Sequence, residues 1–572
     1  KIDGTQSLKI NVGNDGLVTF TDNIGSTNIL KSIENTTTSG GKTIFDGIAP
    51  IDIKTNNTQS YHNVLINNDT TLNSTQLIID EVNIENNKLA TFKQSVNSTI
   101  DEVISGLGSL KKDGLGTLTL TGNNTYQGKT IIEQGSLVIK NDIPLTSSSI
   151  IEGTGNLTIE PSSNSFISSF SSSSWNLGNN LGALTIGSVT NTSDILLDNK
   201  TIRGNINVYG DDIIINNILK ATNSGNIKLV GSGEIKDINN GYIESDALIV
   251  SADIVNLDNV NNKVGTLAAD GINSITYKNS NSLITDVINS SGNIYISTLL
   301  GDLTINNSLS GNEIVLNIKD GNFINNSGSV TPFTSSLTSI YLPSYTNANL
   351  NNLVVDNKRY NTTYTDGCLF TDCVLPTTGV SMLYSIIPEL TVTPTNEQTA
   401  VYGDDFASTY SISGYVDSDN VNSSGISGTT IFEAGAKSSS GNYIVDTHDV
   451  KYISGLLSSI GYIFKDDTSS NNEYTVTPKL ITNITGITAL NKIYDGSVNA
   501  ILDTTNVSFD GILTNDHLTV ENSTGKFDSK NVGDGKTVVI SEVTFGGREG
   551  DNYSFSNMTA SSNANITAKP IN

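Results

Sequence analysis

Acidic residues clustered at turns are the side chains of this sequence best suited to binding a metal ion. Asp404 and Asp405 follow Gly403, and Asp417 and Asp419 lie in the segment Asp-Ser-Asp-Asn. Carboxylate oxygens gathered in this way suit a hard cation such as Ca²⁺. Neither segment matches a full calcium-binding loop, and aspartates at such positions also stabilise turns by themselves. We therefore predict that these four aspartates form turns, and we keep calcium binding at them as the second hypothesis.

The two cysteines, Cys368 and Cys373, predict a disulfide. They lie five positions apart in an otherwise cysteine-free chain, which indicates local pairing and an oxidising compartment. Because the loop between them is short, its contribution through chain entropy would be only about 2 kcal/mol. Free thiols are the alternative. A zinc site needs more ligands than this segment supplies, since no histidine lies nearby.

Groups that could catalyse a reaction are sparse and dispersed. His62, His448 and His517 are the three histidines, and each lies in a separate polar segment. Arginine is scarce, and the sequence has no nucleophile elbow, phosphate-binding loop or His-Glu-x-x-His motif. A β-rich polysaccharide-degrading enzyme would need clustered carboxylates with a charge-stabilising group. We predict that the chain is not an enzyme and keep polysaccharide degradation as the lesser hypothesis.

Composition and charge exclude several classes of partner. The 572 residues carry a formal net charge of −26, so the chain repels phosphate backbones and we expect no nucleic-acid binding. No apolar run approaches the ~18 residues of a membrane-spanning helix. The length predicts several domains or one long solenoid with appendages. Because the first residue is Lys1 rather than Met, we expect a processed form or a piece of a longer protein.

Regular spacing of turn residues predicts the main element. Four glycines between positions 292 and 321 lie nine, ten and ten positions apart, and apolar residues fill alternate positions between them. Alternation with period two indicates short strands with one buried face. Two such strands with their turns give a coil of about 20 residues, which is typical of a solenoid. We predict an all-β chain in which residues 1–330 form a right-handed parallel β-helix.

Residues 110–139 carry the most specific motif of the chain. They include Gly-Leu-Gly-Thr-Leu-Thr-Leu-Thr-Gly-Asn-Asn-Thr-Tyr-Gln-Gly-Lys-Thr, and alternation predicts strands at 117–121, 129–133 and 136–139. The segment resembles the autotransporter-associated β-strand repeat, whose units read Gly-x-Gly-Thr-Leu-x-Leu-x-Gly-x-Asn-x-Tyr-x-Gly-x-Thr. That resemblance implies a β-helical part of a secreted bacterial protein.

A second resemblance concerns the coils and the region after them. Gly231-Ser-Gly-Glu-Ile and Gly321-Asn-Phe-Ile-Asn-Asn-Ser-Gly resemble coils of filamentous-haemagglutinin-type exoproteins, and residues 331–388 resemble the capping region of that family. Since a solenoid end exposes strand edges and apolar core, we expect aromatic residues to cover it. A carbohydrate-stacking platform is the alternative role of these residues. They are Tyr341, Tyr345, Tyr360, Tyr364, Phe370 and Tyr384.

Two related pieces follow, with the boundaries 389–480 and 481–572. The first carries Tyr-Gly-Asp at 402–404 and the second Tyr-Asp-Gly at 494–496, and each ends near a Lys and Pro pair. They resemble the tandem YGX-type and YDG modules of large bacterial surface proteins. The resemblance implies two small β-rich modules, such as a β-grasp-like fold with one helix.

These resemblances together imply a secreted adhesin on the bacterial outer cell surface. Its partners would be a cell-surface glycan or protein, together with an outer-membrane secretion partner or barrel. The alternative is a subunit of an extracellular fibre or coat that self-associates, because an open strand edge accepts further strands. The many asparagines are expected to stack and hydrogen-bond between the coils at their turns.

Overall fold

The computed structural model describes residues 2–37, 40–142, 149–370, 373–395, 398–405, 409–556 and 559–571, without the side chains of Thr37 and Cys368. The chain divides into two compact units. The first consists of Lys1–Leu369 and Leu375–Ile386, and the second of Phe370–Val374 and Ile387–Asn572. No helix among the described residues is long and apolar enough to span a membrane.

The first unit is a parallel β-helix that starts with three sheets. Its strands are short because turn residues interrupt the apolar alternation every few positions. The first sheet contains Leu8–Val12, Ile33–Thr37, Thr58–Tyr61 and Gln76–Ile79; the second contains Leu17–Phe20, Lys42–Phe45, Val64–Ile66, Val82–Ile84 and Ile104–Gly106; the third contains Ile51–Lys54, Thr70–Ser74, Leu89–Gln94, Ser109–Asp113, Thr130–Ile132 and Ile151–Gly153.

Two long sheets then continue the same β-helix. The sheet of 17 strands contains Ser98–Ile100, Thr117–Leu120, Ser136–Lys140, Asn156–Glu160, Ala183–Ile186, Lys200–Ile202, Asn205–Gly210, Ile218–Ala221, Ile227–Gly231, Tyr242–Ser251, Lys263–Ile272, Leu283–Ser290, Leu303–Ile305, Leu309–Ser310, Phe323–Asn325, Phe333–Thr334 and Ala348–Asn349. The sheet of 11 strands contains Phe170–Ser171, Ile195–Leu197, Ile213–Ile215, Glu234–Asp237, Ile254–Leu257, Ser274–Asn279, Ile294–Thr298, Glu313–Ile318, Leu337–Leu342, Gly379–Tyr384 and Asn357–Arg359.

In the core of the β-helix, residues of the same type stack on one another in successive coils. Leu118 pairs with Leu137, Leu137 with Leu157 and Leu157 with Leu184, and none of these leucines is more than 1% exposed. The first two steps advance the chain by 19 and 20 residues, as the glycine spacing predicts, and the third, which includes an insertion, by 27. The predicted parallel β-helix is therefore confirmed.

Asparagine and aspartate side chains form ladders along the turns. Asn322 Nδ2 donates to Asp302 Oδ1 at 2.8 Å, and Asn347 Nδ2 donates to Asn322 Oδ1 at 3.2 Å. Elsewhere Asn216 Nδ2 donates to Asp198 Oδ1 at 3.2 Å. The expected stacking of asparagine between coils is thus confirmed at these turns.

Parallel pairing continues beyond residue 330. Leu337–Leu342 pairs with Glu313–Ile318 on one side and with Gly379–Tyr384 on the other. In the chain segment between Leu337–Leu342 and Gly379–Tyr384, the strands Thr362–Thr363 and Gly367–Cys368 form a small antiparallel pair. The division into a β-helix ending at 330 and a cap at 331–388 stays a prediction.

The second unit contains short mixed sheets and a shared core. Its sheets are Tyr410–Ser413, Glu389–Pro394 and Ile463–Asp466; Gln398–Val401, Glu473–Thr477 and Thr447–Asp449; Ile426–Glu433 with Lys451–Ser458; Lys479–Ile481 with Tyr553–Phe555; Asn483–Thr485 with Ser508–Asp510; Thr488–Ala489 with Leu502–Asp503; and Lys492–Ile493, Ala560–Thr567, Gly533–Gly546, Thr519–Phe527 and Asn499–Ala500. One hydrophobic cluster joins Tyr402 and Val476 of the first predicted module to Phe509 and Ile540 of the second.

The sequence predicted that a β-grasp-like module would contain a helix, and this prediction is wrong for the described residues. The helical segments of the described residues are 3-10 turns of three residues each. Ser172–Ser174 and Tyr345–Asn347 lie in the first unit, and Gly550–Asn552 lies in the second. Both modules are instead built from strands, because their apolar residues recur with the strand period.

A buried lysine within the 110–139 motif hydrogen-bonds to the backbone at one turn of the β-helix. The side chain of Lys112 is 0% exposed. Its Nζ donates to the carbonyl oxygens of Asp113 at 2.8 Å, Gly114 at 2.7 Å and Gln134 at 3.1 Å. Gln134 belongs to the following coil, so the ammonium group links two coils. Burial lowers the pKa of Lys112 to about 8, although the nearby carboxylate of Asp113 acts in the opposite direction.

We expect Lys112→Met to destabilise the β-helix by about 2–4 kcal/mol, because it leaves three carbonyl groups without their donor. Thermal and urea unfolding followed by circular dichroism measures the change. Lys129→Met is the matched control, since Lys129 lies nearby on the surface in an exposed ion pair with Glu152. Equal loss in both variants would contradict the role assigned to Lys112.

The same lysine predicts a pH dependence. Between about pH 8 and 10.5, the unfolded chain binds a proton at Lys112 more readily than the folded chain does. The free energy of unfolding should therefore rise with pH in this window. The measurement is the stability difference between the wild-type protein and Lys112→Met, which should widen from pH 8 to pH 10. A difference that does not change with pH would contradict the lowered pKa.

Candidate binding surfaces

The predicted calcium ligands lie at turns of the second unit. Asp404 and Asp405 are exposed. Asp417 has a left-handed backbone with φ 50°, and Asp419 accepts hydrogen bonds from the hydroxyls of Tyr462 at 2.9 Å and Ser423 at 3.1 Å. Among the residues described, no group of three His, Cys, Asp or Glu side chains is arranged to hold a metal ion. Calcium binding stays a prediction.

Cys368, the first of the two predicted disulfide partners, lies in the small hairpin of the first unit. Cys368 ends the strand Gly367–Cys368, which pairs with Thr362–Thr363. Because the side chain of Cys368 lies outside the described residues, the bond between Cys368 and Cys373 stays a prediction.

The three histidines occupy separate environments. His62 Nδ1 pairs with Asp80 in the β-helix. In the second unit, the His448 ring contacts the carbonyl oxygen of Ile444 at 2.7 Å, and the backbone N–H of His517 donates to Glu549 at 2.9 Å.

A buried carboxylate joins the two predicted modules. Asp516 is 8% exposed, and its Oδ2 accepts hydrogen bonds from the hydroxyls of Tyr402 and Tyr553, each at 2.7 Å. Its Oδ1 accepts from the backbone N–H of Ser440 at 3.1 Å. Burial raises the pKa of both phenols, so they stay protonated and act as donors. The modules therefore share a polar centre as well as an apolar core.

Two further hydrogen bonds surround this centre and cross between the modules. Ser439 Oγ donates to Glu549 Oε1 at 2.6 Å, and the backbone N–H of Val445 donates to Asn552 Oδ1 at 2.9 Å. Sequence reasoning singled out Tyr402 as part of a module motif but missed Asp516, because nothing near Asp516 in the sequence marks it as buried.

Three exposed apolar residues lie on the two-stranded ribbon Ile426–Glu433 and Lys451–Ser458. Tyr452 and Leu456 are buried in the core of the unit. Ile431, Ile453 and Leu457 are instead exposed, at 56%, 52% and 47%. Exposed apolar residues gathered on one element mark a candidate interaction surface. We call these three residues the apolar ribbon.

Comparison with known families supports two of the resemblances. Residues 110–139 match the family model of the passenger-associated-transport-repeat. Residues 477–560 match the YDG domain. The resemblances to filamentous haemagglutinin and to a YGX-type module stay predictions.

One curated relative and the solved structures complete the comparison. The chain is 44% identical over 81 residues to an extracellular serine protease of Serratia marcescens, which is 14% of this chain and 8% of that protein. The chain thus spans a small part of that relative. No solved structure matches. The passenger repeat, together with this extracellular relative, indicates a secreted or cell-surface protein.

We expect Asp516→Ala to destabilise the second unit by about 2–4 kcal/mol, because two buried phenols and a backbone N–H lose their acceptor. Hydrogen exchange should show lost protection in peptides around both Tyr402 and Tyr553. Asp510→Ala is the control, since Asp510 is an exposed aspartate of the same unit. If only the peptide around one tyrosine loses protection, Asp516 does not couple the modules.

Proposed function

We propose that the protein is a secreted β-helical passenger that acts as an adhesin. The observation that supports the proposal is the apolar ribbon, which places three exposed aliphatic side chains on one pair of strands. Burying aliphatic residues against a partner is favourable by about 25 cal/mol per Å². The partner we propose for this surface is a protein or glycoprotein on another cell.

The β-helix supports this proposal mechanically. Parallel coils rise about 4.8 Å each, so the sheet of 11 strands is on the order of 50 Å long. Because each coil hydrogen-bonds to its two neighbours along this length, the stack resists bending. A stiff passenger can hold a binding surface away from the cell that carries it.

The passenger repeat supports a proposal for the secretion route. We propose that an outer-membrane secretion partner or barrel exports the chain, which the match at residues 110–139 supports. Catalysis is not part of the proposal. The similarity to a serine protease covers 81 residues and concerns a small part of that enzyme.

The adhesin proposal predicts that the protein no longer attaches to cells when the apolar ribbon is made polar. In the double variant Ile453→Asn and Leu457→Asn, we expect attachment of protein-coated beads to cell monolayers to fall by about tenfold or more, as at interface hot spots. Val539→Asn is the control, because Val539 is 48% exposed on a different sheet of the same unit. Unchanged attachment of the double variant would contradict the proposal.

The fibre alternative has a separate outcome. If the protein is a coat or fibre subunit, light scattering at high concentration will show self-association, with or without calcium, that the ribbon variant abolishes. A strict monomer under both conditions contradicts the fibre and leaves adhesion in place.

A further inference from the structure

Three tyrosines of the β-helix meet on its outer surface. Tyr295 lies on Ile294–Thr298 and Tyr341 on Leu337–Leu342, with one strand of the same sheet between them. Tyr364 comes from the hairpin that follows Tyr360. Its ring centroid lies 5.1 Å from that of Tyr295, with the planes tilted by 35°, and 5.5 Å from that of Tyr341 in an edge-on arrangement. We call this cluster, with the depression beside it, the tyrosine groove.

The exposure of Tyr364 separates it from aromatic residues that cover the core. Tyr360 and Tyr384 stack with centroids 5.5 Å apart and are 0% and 1% exposed, as expected of a cap. Tyr364 is 46% exposed, although it belongs to the same hairpin region. Covering the core therefore accounts for Tyr360 and Tyr384 and leaves part of Tyr364 open to solvent.

The hairpin holds Tyr364 in place. The hydroxyls of Thr363 and Thr365 both donate to Asp366 Oδ2, at 3.0 and 3.1 Å, so the residues on either side of Tyr364 share one acceptor. At the base of the hairpin, the backbone N–H of Leu369 donates to the carbonyl oxygen of Asn361 at 2.9 Å. A ring fixed in this way loses little conformational entropy when a ligand stacks on it.

The groove beside the rings is small, and its lining is mainly apolar with several polar side chains. Its volume of about 190 Å³ lies below the ~300–1,000 Å³ of sites for drug-sized ligands, so it suits a single small ring. Burial raises the pKa of Tyr341 and of Tyr364, which keeps both phenols protonated as donors. Besides Tyr341 and Tyr364, the polar residues of the lining are Asn317, Lys319, Thr362, Thr363, Thr365 and Ser385.

We propose that the tyrosine groove binds one pyranose unit of a glycan. A pyranose has an apolar face of C–H groups and a rim of hydroxyls. The exposed part of Tyr364 offers an aromatic surface to the first. For the second, Lys319 offers a donor, and the hydroxyls of Thr363, Thr365 and Ser385, which already donate within the protein, offer acceptors. Lys319 gives the site one cation, which would also accept a carboxylate-bearing sugar.

This inference adds a glycan to the partners of the proposed adhesin but uses a surface separate from the apolar ribbon. The two proposals therefore fail separately. A ribbon variant that loses cell attachment should keep its sugar binding, and a groove variant that loses sugar binding should keep the ribbon intact.

Saturation-transfer NMR with the full chain tests the proposal. The probes are glucose, galactose, mannose, N-acetylglucosamine and galacturonate, so that neutral and acidic pyranoses are compared. We expect at least one to bind at millimolar concentration. Tyr364→Ala should weaken that binding by about tenfold or more, whereas Tyr364→Phe, which keeps the ring, should stay within about threefold. Tyr410→Ala is the control, because Tyr410 is an exposed tyrosine of the second unit.

A second variant tests the site independently, in case Tyr364→Ala fails to fold. Ser385→Trp leaves all three tyrosines in place and fills the groove, so it should also abolish binding. The proposal is overturned if no sugar of the panel binds. It is equally overturned if Tyr364→Ala, with unchanged thermal unfolding, or Ser385→Trp binds as the wild type does.

Discussion

Hydrogen bonding between successive parallel coils is the constraint on which the β-helix depends. A coil cannot satisfy its own strand N–H and C=O groups, so each strand relies on the coil before it and the coil after it. The pairing is in register, and side chains therefore stack on side chains of the same position, as Leu118, Leu137 and Leu157 do. Additional residues are accommodated where the chain leaves the stack. The segment between Leu337–Leu342 and Gly379–Tyr384 is such a departure, and it carries the hairpin of Tyr364.

The corner at Lys112 depends on two residues that the neighbouring coils constrain. Gly114 has φ +78°, and a Cβ there would lie 2.3 Å from the carbonyl oxygen of Gln94 in the preceding coil. Only glycine tolerates both the left-handed backbone and that close approach. The carbonyl oxygen of Gly114 in turn accepts from Lys112, which also binds Gln134 of the following coil. Three coils thus meet at Lys112 and Gly114. A substitution at either residue should lower the stability of the β-helix.

Local pattern predicted the β-helix but not the joining of the modules. The strands expected at 117–121, 129–133 and 136–139 are present as Thr117–Leu120, Thr130–Ile132 and Ser136–Lys140, because alternation acts over a few residues. The contact between Tyr402, Asp516 and Tyr553 spans more than a hundred positions, and no periodicity marks it. The same limit explains why the sequence does not indicate that one buried cluster contains residues of both predicted modules.

The location of the tyrosine groove follows from the geometry of the stack. Inward positions are fixed by the core, whereas outward positions such as Tyr295 and Tyr341 contribute little to stability and are free to carry binding groups. Strands two coils apart lie about 10 Å from each other, which leaves room for one ring between two outward side chains. Tyr364 occupies that room, at 5.1 and 5.5 Å from its neighbours. Since the coils set the spacing, a ring inserted from a hairpin is held by the β-helix itself, and its remaining exposed surface has a fixed orientation toward a ligand.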